Sequence, residues 1–278
     1  MTRRFASRGR YCPICEGMHF ETVFIYTDPP PREIRFASSS APDYYREEWR
    51  CKRCGHFISV HEMDLSSLYL GDYVTANYTD TEGLRRRFDK IAGLPPEKSD
   101  NESRVLQILK YAKIRFIERS KPPSILDIGS GLCVFLNRMK KEGWDCTALD
   151  PDERAVAHAR DTVGVKAIAG DFAKTPVSGH FDVITLNKVL EHVADPVTML
   201  RKASELLAPG GFMYIELPDG EQAAEEGKDR EEFTIDHLHV FSLCSTERLF
   251  KRAGLTPKLI ERVREPSTKV TLRIFATR

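Results

Sequence analysis

From Ser124 onward, short apolar runs alternate with helical stretches: SILDI, a helix, CTALD, a helix, VKAIAG, FDVITLN, a helix, FMYIEL. Strands joined through a helix pair in parallel, and a parallel sheet must be covered on both faces. The alternation therefore predicts a βαβ series, an α/β fold with its sheet between two helical layers. The chain closes with a helix, STERLFKRAGL, and two strand candidates, TPKLIERV and KVTLRIFATR, close enough to pair as an antiparallel hairpin around REPST. With 278 residues, 41% of them hydrophobic, there is material for one domain of this kind plus a smaller module.

Three regions are expected. Residues 1–70 hold two C-x-x-C pairs beside short strand candidates, FETVFIY and HFISVHEM, and bury little core alone. Residues 71–120 read as a helical lid or linker: TDTEGLRRRFDKIAG runs from Thr and Asp caps to Gly93. A second helix carries Val105, Ile108, Leu109, Ala112 and Phe116 at helical spacing, with Asp100 or Asn101 as its cap. Residues 121–278 form the α/β domain. The charged stretch DGEQAAEEGKDREEF is expected as a solvated loop, and Gly210 and Gly211 as the end of a helix.

Charge excludes little and promises little. Lys and Arg number 42 against 41 Asp and Glu, so no global field draws a polyanion. There is no apolar run of membrane-spanning length and no signal-type segment behind the N-terminal arginines, which fits a cytoplasmic protein.

The turn in ILDIGSGLCVFLNRM leads from an apolar strand through Gly129, Ser130 and Gly131 into an amphipathic helix. Glycines here let the backbone bend sharply and let a ligand approach its N–H groups. Val134 stands where a dinucleotide fingerprint needs its third glycine, and no Gly-Lys-Ser/Thr follows, so neither NAD nor a P-loop phosphate suits the turn. Asp127, at the strand end, repels a pyrophosphate and attracts a cation.

In Asp127, Gly129 and Gly131 the chain resembles class I S-adenosylmethionine-dependent methyltransferases, whose first motif is D/E-x-G-x-G-x-G, with Cys133 in place of the third glycine. The resemblance continues through Asp150 and Pro151, Asp171 and Phe172, Asn187 and Val189 in FDVITLNKVLEHVADP, and LLAPGGFMYIELPD. It implies a Rossmann-like fold with a mostly parallel seven-stranded sheet and S-adenosylmethionine as cofactor. Asp150 is then expected to accept the ribose hydroxyls, Asp171 to bond the adenine amino group, and Phe172 to lie against the adenine ring.

Methyl transfer to a hydroxyl or carbon acceptor needs positioning and a base. His192 follows the fourth strand and His237 follows the fifth, both at strand ends where this fold holds its ligands. IDHLHVFS resembles the EHFSYFS-type segment of sugar C-methyltransferases, which implies His237 as the base beside the carboxylate of Asp236, although Thr234 replaces their tyrosine.

Cys12, Cys15, Cys51 and Cys54 form two knuckles of the spacing that supplies four thiolates to a structural zinc. His19, His56 and His61 are expected at the surface, and Cys133, Cys146 and Cys244 as buried small hydrophobes. A cysteine-ligated zinc module before a methyltransferase core resembles sugar and polysaccharide-pathway enzymes, with Tyr73, Tyr78 and Arg87 expected in a lid. The reading is thus a methyltransferase for a sugar, nucleotide-sugar or related small molecule, by O- or C-methylation. Two alternatives stand beside it: an rRNA or tRNA methyltransferase gripping RNA through the zinc module, and a non-catalytic cofactor-binding scaffold. Ten Lys or Arg against seven Asp or Glu in the first 60 residues speak against RNA. Oligomeric state is not legible.

Overall fold

The computed structural model describes residues 10–31, 33, 44–63, 81–117 and 121–278. Its strands are β1 (Phe20–Tyr26), β2 (Arg46–Cys51), β3 (Phe57–Val60), β4 (Ser124–Ile128), β5 (Asp145–Asp150), β6 (Lys166–Ala169), β7 (Phe181–Asn187), β8 (Leu207–Pro218), β9 (His239–Val240), β10 (Thr256–Arg264) and β11 (Val270–Thr277). The helices are α1 (Thr81–Ala92), α2 (Asp100–Arg115), α3 (Val134–Lys141), α4 (Glu153–His158), α5 (Pro196–Glu205), α6 (Gly220–Glu226) and α7 (Leu243–Arg252).

Seven strands form one sheet in the order β10-β11-β8-β7-β4-β5-β6, as the strand alternation predicts. Neighbours from β8 to β6 pair in parallel, and only β11 runs against its neighbours. The side-chain period of two divides its central residues between two cores: Ile125, Val183, Phe212 and Phe275 face one, and Leu126, Ile184, Met213 and Ile274 the other. The order reverses at β4, which lies between β5 and β7, and this is where such a sheet opens a crevice beyond its carboxyl ends.

A second, antiparallel sheet runs β1-β2-β3-β9. Its fourth strand is borrowed from far along the chain: Phe57 pairs with Val240 and Ile58 with His239. Cys12, Ile14, Trp49 and Val60 belong to the same buried cluster as Leu217, Phe241 and Phe250, so the N-terminal sheet packs on the α/β sheet's own core.

Several expectations are corrected. The cap of α2 is Ser99, whose hydroxyl accepts from Glu102 N at 3.2 Å, while Asp100 turns outward to Ser267. Gly210 and Gly211 lie inside β8, where the register with β7 slips; a Cβ on Gly211 would sit 2.6 Å from the Asp182 carbonyl. The charged stretch after Pro218 is structured: Asp219 caps α6, Gly220 packs on Phe57, and Glu232 and Phe233 are buried. His56 is fully buried against His239, with ring nitrogens 3.1 Å apart, and not at the surface. Cys244 is exposed at the start of α7, whereas Cys133 and Cys146 are buried. Tyr73 and Tyr78 fall outside the described residues, and Arg87 lies on the exposed face of α1. No helix among the described residues is long and apolar enough to cross a membrane.

Candidate active site

Strand β4 delivers Asp127 to the crevice with the carboxyl 2% exposed. Its Oδ1 accepts from the Thr185 hydroxyl at 2.6 Å and from Asn187 Nδ2 at 2.9 Å, both on the neighbouring strand β7. Burial pushes the Asp127 carboxyl up to about 7, and Thr185, Arg104 and Asn187 offset only part of that.

The turn that follows has left-handed backbone at Gly129 (φ 74°), Gly131 (φ 48°) and Cys133 (φ 58°). Each glycine is needed for a different reason. A Cβ on Gly129 would come within 2.6 Å of Val189 Cγ2, so this glycine allows the strand β7 connection to close over the turn. A Cβ on Gly131 would meet nothing within 4 Å, so there the backbone is bare toward open space, as a ligand requires. Cys133 holds its conformation without that freedom and is fixed by burial.

Asp150 ends β5 with both carboxylate oxygens engaged: Oδ2 accepts from Gly131 N at 2.8 Å and Oδ1 from Asp152 N at 2.9 Å. The carboxylate thus ties the second strand end to the glycine turn. Each oxygen keeps a further lone pair.

Asp127, Gly129, Ser130, Gly131 and Asn187 line one cavity of about 460 Å³. Its other lining comes from Ile91 at the end of α1 and Leu94 just after it, Asn101 and Arg104 of α2, and Ser267 of the β10–β11 turn. Lys188 adds a cation with left-handed backbone (φ 61°), its ammonium donating to Thr271 Oγ1 at 2.6 Å. Arg104 is not singled out by spacing in the sequence, because what brings it here is the packing of α2 on the sheet, whereas Lys188 arrives directly after Asn187 at the end of β7.

The other cofactor candidates lie elsewhere. Pro151 is exposed, and Asp171 is an exposed residue whose Oδ1 accepts from Ala173 N at 2.9 Å. Phe172 is buried in the core, with the Lys202 ammonium 5.0 Å from its ring centre.

Beyond Asn187 the chain gathers His192, Asp236 and His237. The two imidazoles meet edge to face with ring centres 4.9 Å apart. His192 Nδ1 lies 2.9 Å from the Asp236 carbonyl oxygen, His237 Nδ1 lies 2.8 Å from that of Glu232, and Asp236 Oδ2 stands 3.8 and 4.0 Å from the two rings. Burial lowers the His237 pKa despite the neighbouring Asp236 carboxylate. Glu191, which the sequence reading passed over, is buried at 1% exposure beside them.

At the N-terminal sheet, Cys12 Sγ lies 3.6 Å from Cys54 Sγ and Cys15 Sγ 3.5 Å from Cys51 Sγ, with all four sulfurs within 4.8 Å of one another. Tetrahedral zinc thiolates place sulfurs about 3.8 Å apart, so the four fit such an ion.

Residues 98–259 match the family model described as a methyltransferase domain. The chain belongs to this family. The methyltransferase is 34% identical over 99 residues to a ubiquinone biosynthesis O-methyltransferase of Caulobacter vibrioides, covering 33% of this chain and 39% of the relative. It is 26% identical over 163 residues to the enzyme of the same name from Cronobacter sakazakii, covering 56% of this chain and 61% of that one. The methyltransferase thus spans about two fifths to three fifths of the curated relatives' lengths. Among solved structures it resembles magnesium protoporphyrin IX methyltransferase from Synechocystis PCC 6803, with a TM-score of 0.55 and 11% identity over 77% of this chain and all of that one, which speaks for a shared fold.

Proposed function

We propose that this methyltransferase moves the methyl group of S-adenosylmethionine onto a hydroxyl of a small polar acceptor, a sugar or related intermediate, in the cavity over the glycine turn. The observation that carries the reading is the buried Asp127 carboxyl sharing one cavity with the bare backbone of Gly131. A ligand with an ammonium group suits that carboxyl, and a ligand pressed against the turn suits the glycine. Asp150 then accepts from the ribose hydroxyls. The bound cofactor supplies a methyl group on a positively charged sulfur. The names of the curated relatives support oxygen as the acceptor atom, and the polar side chains of Asn101, Arg104, Lys188 and Ser267 around the cavity support a polar acceptor.

Binding is expected to follow the ionisation of Asp127. Its pKa stands near 7, so below that pH a proton must leave before an ammonium can be held. Affinity therefore rises with pH and levels above 7. S-adenosylhomocysteine should bind about 30-fold more weakly at pH 5.5 than at pH 8, and Asp127→Asn should flatten the profile. A wild-type affinity independent of pH removes Asp127 from the ammonium site.

The acceptor's proton falls to the cluster of His237, His192 and Asp236. His237→Ala is expected to lower kcat about 100-fold while changing cofactor affinity less than threefold. Turnover that is unchanged on an accepted substrate would exclude His237. Screening sugars, sugar nucleotides and phenols as acceptors with radiolabelled cofactor tests the reaction itself; methyl transfer to none of them, by protein that binds the cofactor, counts against a small polar acceptor.

The four cysteines are proposed to hold a structural zinc. Its role is to staple an N-terminal sheet too small to bury a core alone.

A further inference from the structure

The main chain that carries His237 is gripped by a residue 202 positions earlier: the Ile235 amide donates to Glu33 Oε2 at 2.9 Å. Ile235 is fully buried, so this amide needs an acceptor inside the protein. The amides of Phe233, Thr234, His237 and Leu238 around it donate to main-chain carbonyls. Between the short turn Glu231–Phe233 and β9 the chain belongs to no helix or strand, so no ladder fixes its course. At Ile235 a carboxylate from the N-terminal region does so instead.

Glu33 is itself held. Its side chain and that of Arg46, at the start of β2, are both fully buried, and Arg46 Nη2 donates to Glu33 Oε2 at 3.1 Å. The Tyr44 hydroxyl donates to the other oxygen, Oε1, at 2.5 Å. The guanidinium is engaged on its remaining sides as well. Nη1 donates to Glu48 Oε2 at 3.3 Å and to Ser59 Oγ at 3.4 Å, and Nε to the Tyr44 hydroxyl at 3.3 Å. Its central carbon stands 4.0 Å from the centre of the Tyr26 ring. A planar fork occupied in this way has one orientation, and it fixes the carboxylate that faces it.

We propose that Glu33, oriented by Arg46, is a positioning residue for methyl transfer: by fixing the Ile235 amide it sets where the His237 ring stands against the acceptor. The inference deepens the proposed function and rests on it for His237 as the base. Asp236 and His237 follow Ile235 directly in the chain. The His237 ring is oriented by the Glu232 carbonyl, 2.8 Å from Nδ1 and on the other side of Ile235 in the sequence. A carbonyl only accepts, so Nδ1 carries the proton and Nε2 is left as the basic nitrogen. The Ile235 amide is thus the fixed point between the base and the carbonyl that aims it. Displacing a reacting group by about 1 Å costs on the order of 100-fold in rate. Buried ion pairs add little stability over well-packed apolar side chains, so what this pair contributes is position. Glu33 and Arg46 lie between the two cysteine pairs, which gives the N-terminal region a part in the reaction beyond carrying a metal.

Two variants of the full-length, zinc-loaded protein test this. Glu33→Ala removes the acceptor. Glu33→Gln keeps an oxygen for the Ile235 amide and turns its amino group to the Tyr44 hydroxyl, while Glu48 still pairs with Arg46. The spectroscopic readout is the His237 Nδ1 proton, observed by NMR with 15N-labelled histidine and assigned by its loss in His237→Gln. A single cooperative thermal transition certifies folding. In Glu33→Ala the proton signal is expected to vanish through exchange with water. S-adenosylhomocysteine affinity should stay within about threefold, and kcat on an accepted substrate should fall about 30-fold. Glu33→Gln should recover both the signal and, within about threefold, the turnover. An unchanged His237 signal in folded Glu33→Ala protein overturns the proposal and leaves the methyltransferase reading standing. Glu33→Gln protein as impaired as Glu33→Ala also overturns it, because charge and not the amide contact would then be what matters. Should Glu33→Ala not fold, hydrogen exchange in the wild-type protein decides: an Ile235 amide that exchanges as fast as in an unfolded chain overturns the contact. Loss of the His237 signal in folded Glu33→Ala, with its return in Glu33→Gln, in protein that binds no cofactor upholds the positioning and removes the cofactor reading.

Discussion

Stripping the metal from the four cysteines lowers the thermal midpoint of the whole methyltransferase by about 10 °C or more, in a single calorimetric transition. The size follows from the free energy such ions lend to folding: losing about 5 kcal/mol of it shifts a domain of this length by 2–4 °C per kcal/mol. Its unity follows from packing. Sequence alone makes the first 70 residues a separable module, from which chelation should leave the α/β domain folded. The structure ties both cysteine knuckles to α7 and its cap. The Arg252 guanidinium donates to the carbonyls of Pro13 and Ile14 at 2.8 and 2.9 Å, and the Ser242 hydroxyl donates to the Cys54 carbonyl at 2.5 Å. Trp49 and Ile14 share one buried cluster with Phe250 and Leu217. Two resolved transitions in differential scanning calorimetry, with the upper one unmoved by chelation, would show that this shared core carries no coupling.

Replacing Asp150 by alanine weakens S-adenosylhomocysteine binding about 100-fold. Two hydrogen bonds from ribose hydroxyls to a carboxylate are worth at least about 3 kcal/mol together, since bonds to a charged group run at 1.5–3 kcal/mol each. A second loss adds to the first, because Asp150 also anchors the Gly131 and Asp152 amides and so holds the glycine turn against the end of β5. Asp152→Ala serves as the control: its Oδ1 accepts from Arg154 N at 2.9 Å and caps α4, so that variant loses about 1 kcal/mol of stability and keeps its cofactor affinity. A Kd within threefold of wild type in Asp150→Ala, measured by calorimetry on folded protein, would move the ribose elsewhere.

What the sequence made legible was local. Period-two strands, helices between them and the C-terminal hairpin are written in short-range patterns, and the hairpin pairs from Thr256 with Thr277 to Arg264 with Val270. The cavity lining of Asp127, Gly129, Gly131 and Asn187 was legible because a strand-end acid and two glycines leave a spaced signature. The clustering of His192, Asp236 and His237 was legible through position after strands. Glu191 was not, since a glutamate next to a histidine looks like any surface acid until its burial is known. His56 failed for the same reason: only the approach of His239, 183 residues away in the chain, makes it interior. The Gly210–Gly211 pair reads as a helix stop, yet its work is to let β8 slip register against Asp182. Arg104 reaches the cavity through the packing of α2 on the sheet, which no spacing encodes.

The borrowed strand has a consequence for synthesis. β3 ends at Val60, and the partner that completes its edge begins at His239. On a ribosome adding 5–20 residues per second, roughly 180 residues separate the two, so β3 waits about 10–40 s with one row of amides and carbonyls unmet. Such a row is a template for pairing with another chain. Crowded polysomes are therefore where this protein is most exposed to misassembly, and metal captured by the four cysteines, all of which lie before β3 in the chain, would shorten the list of conformations from which the waiting edge can go astray.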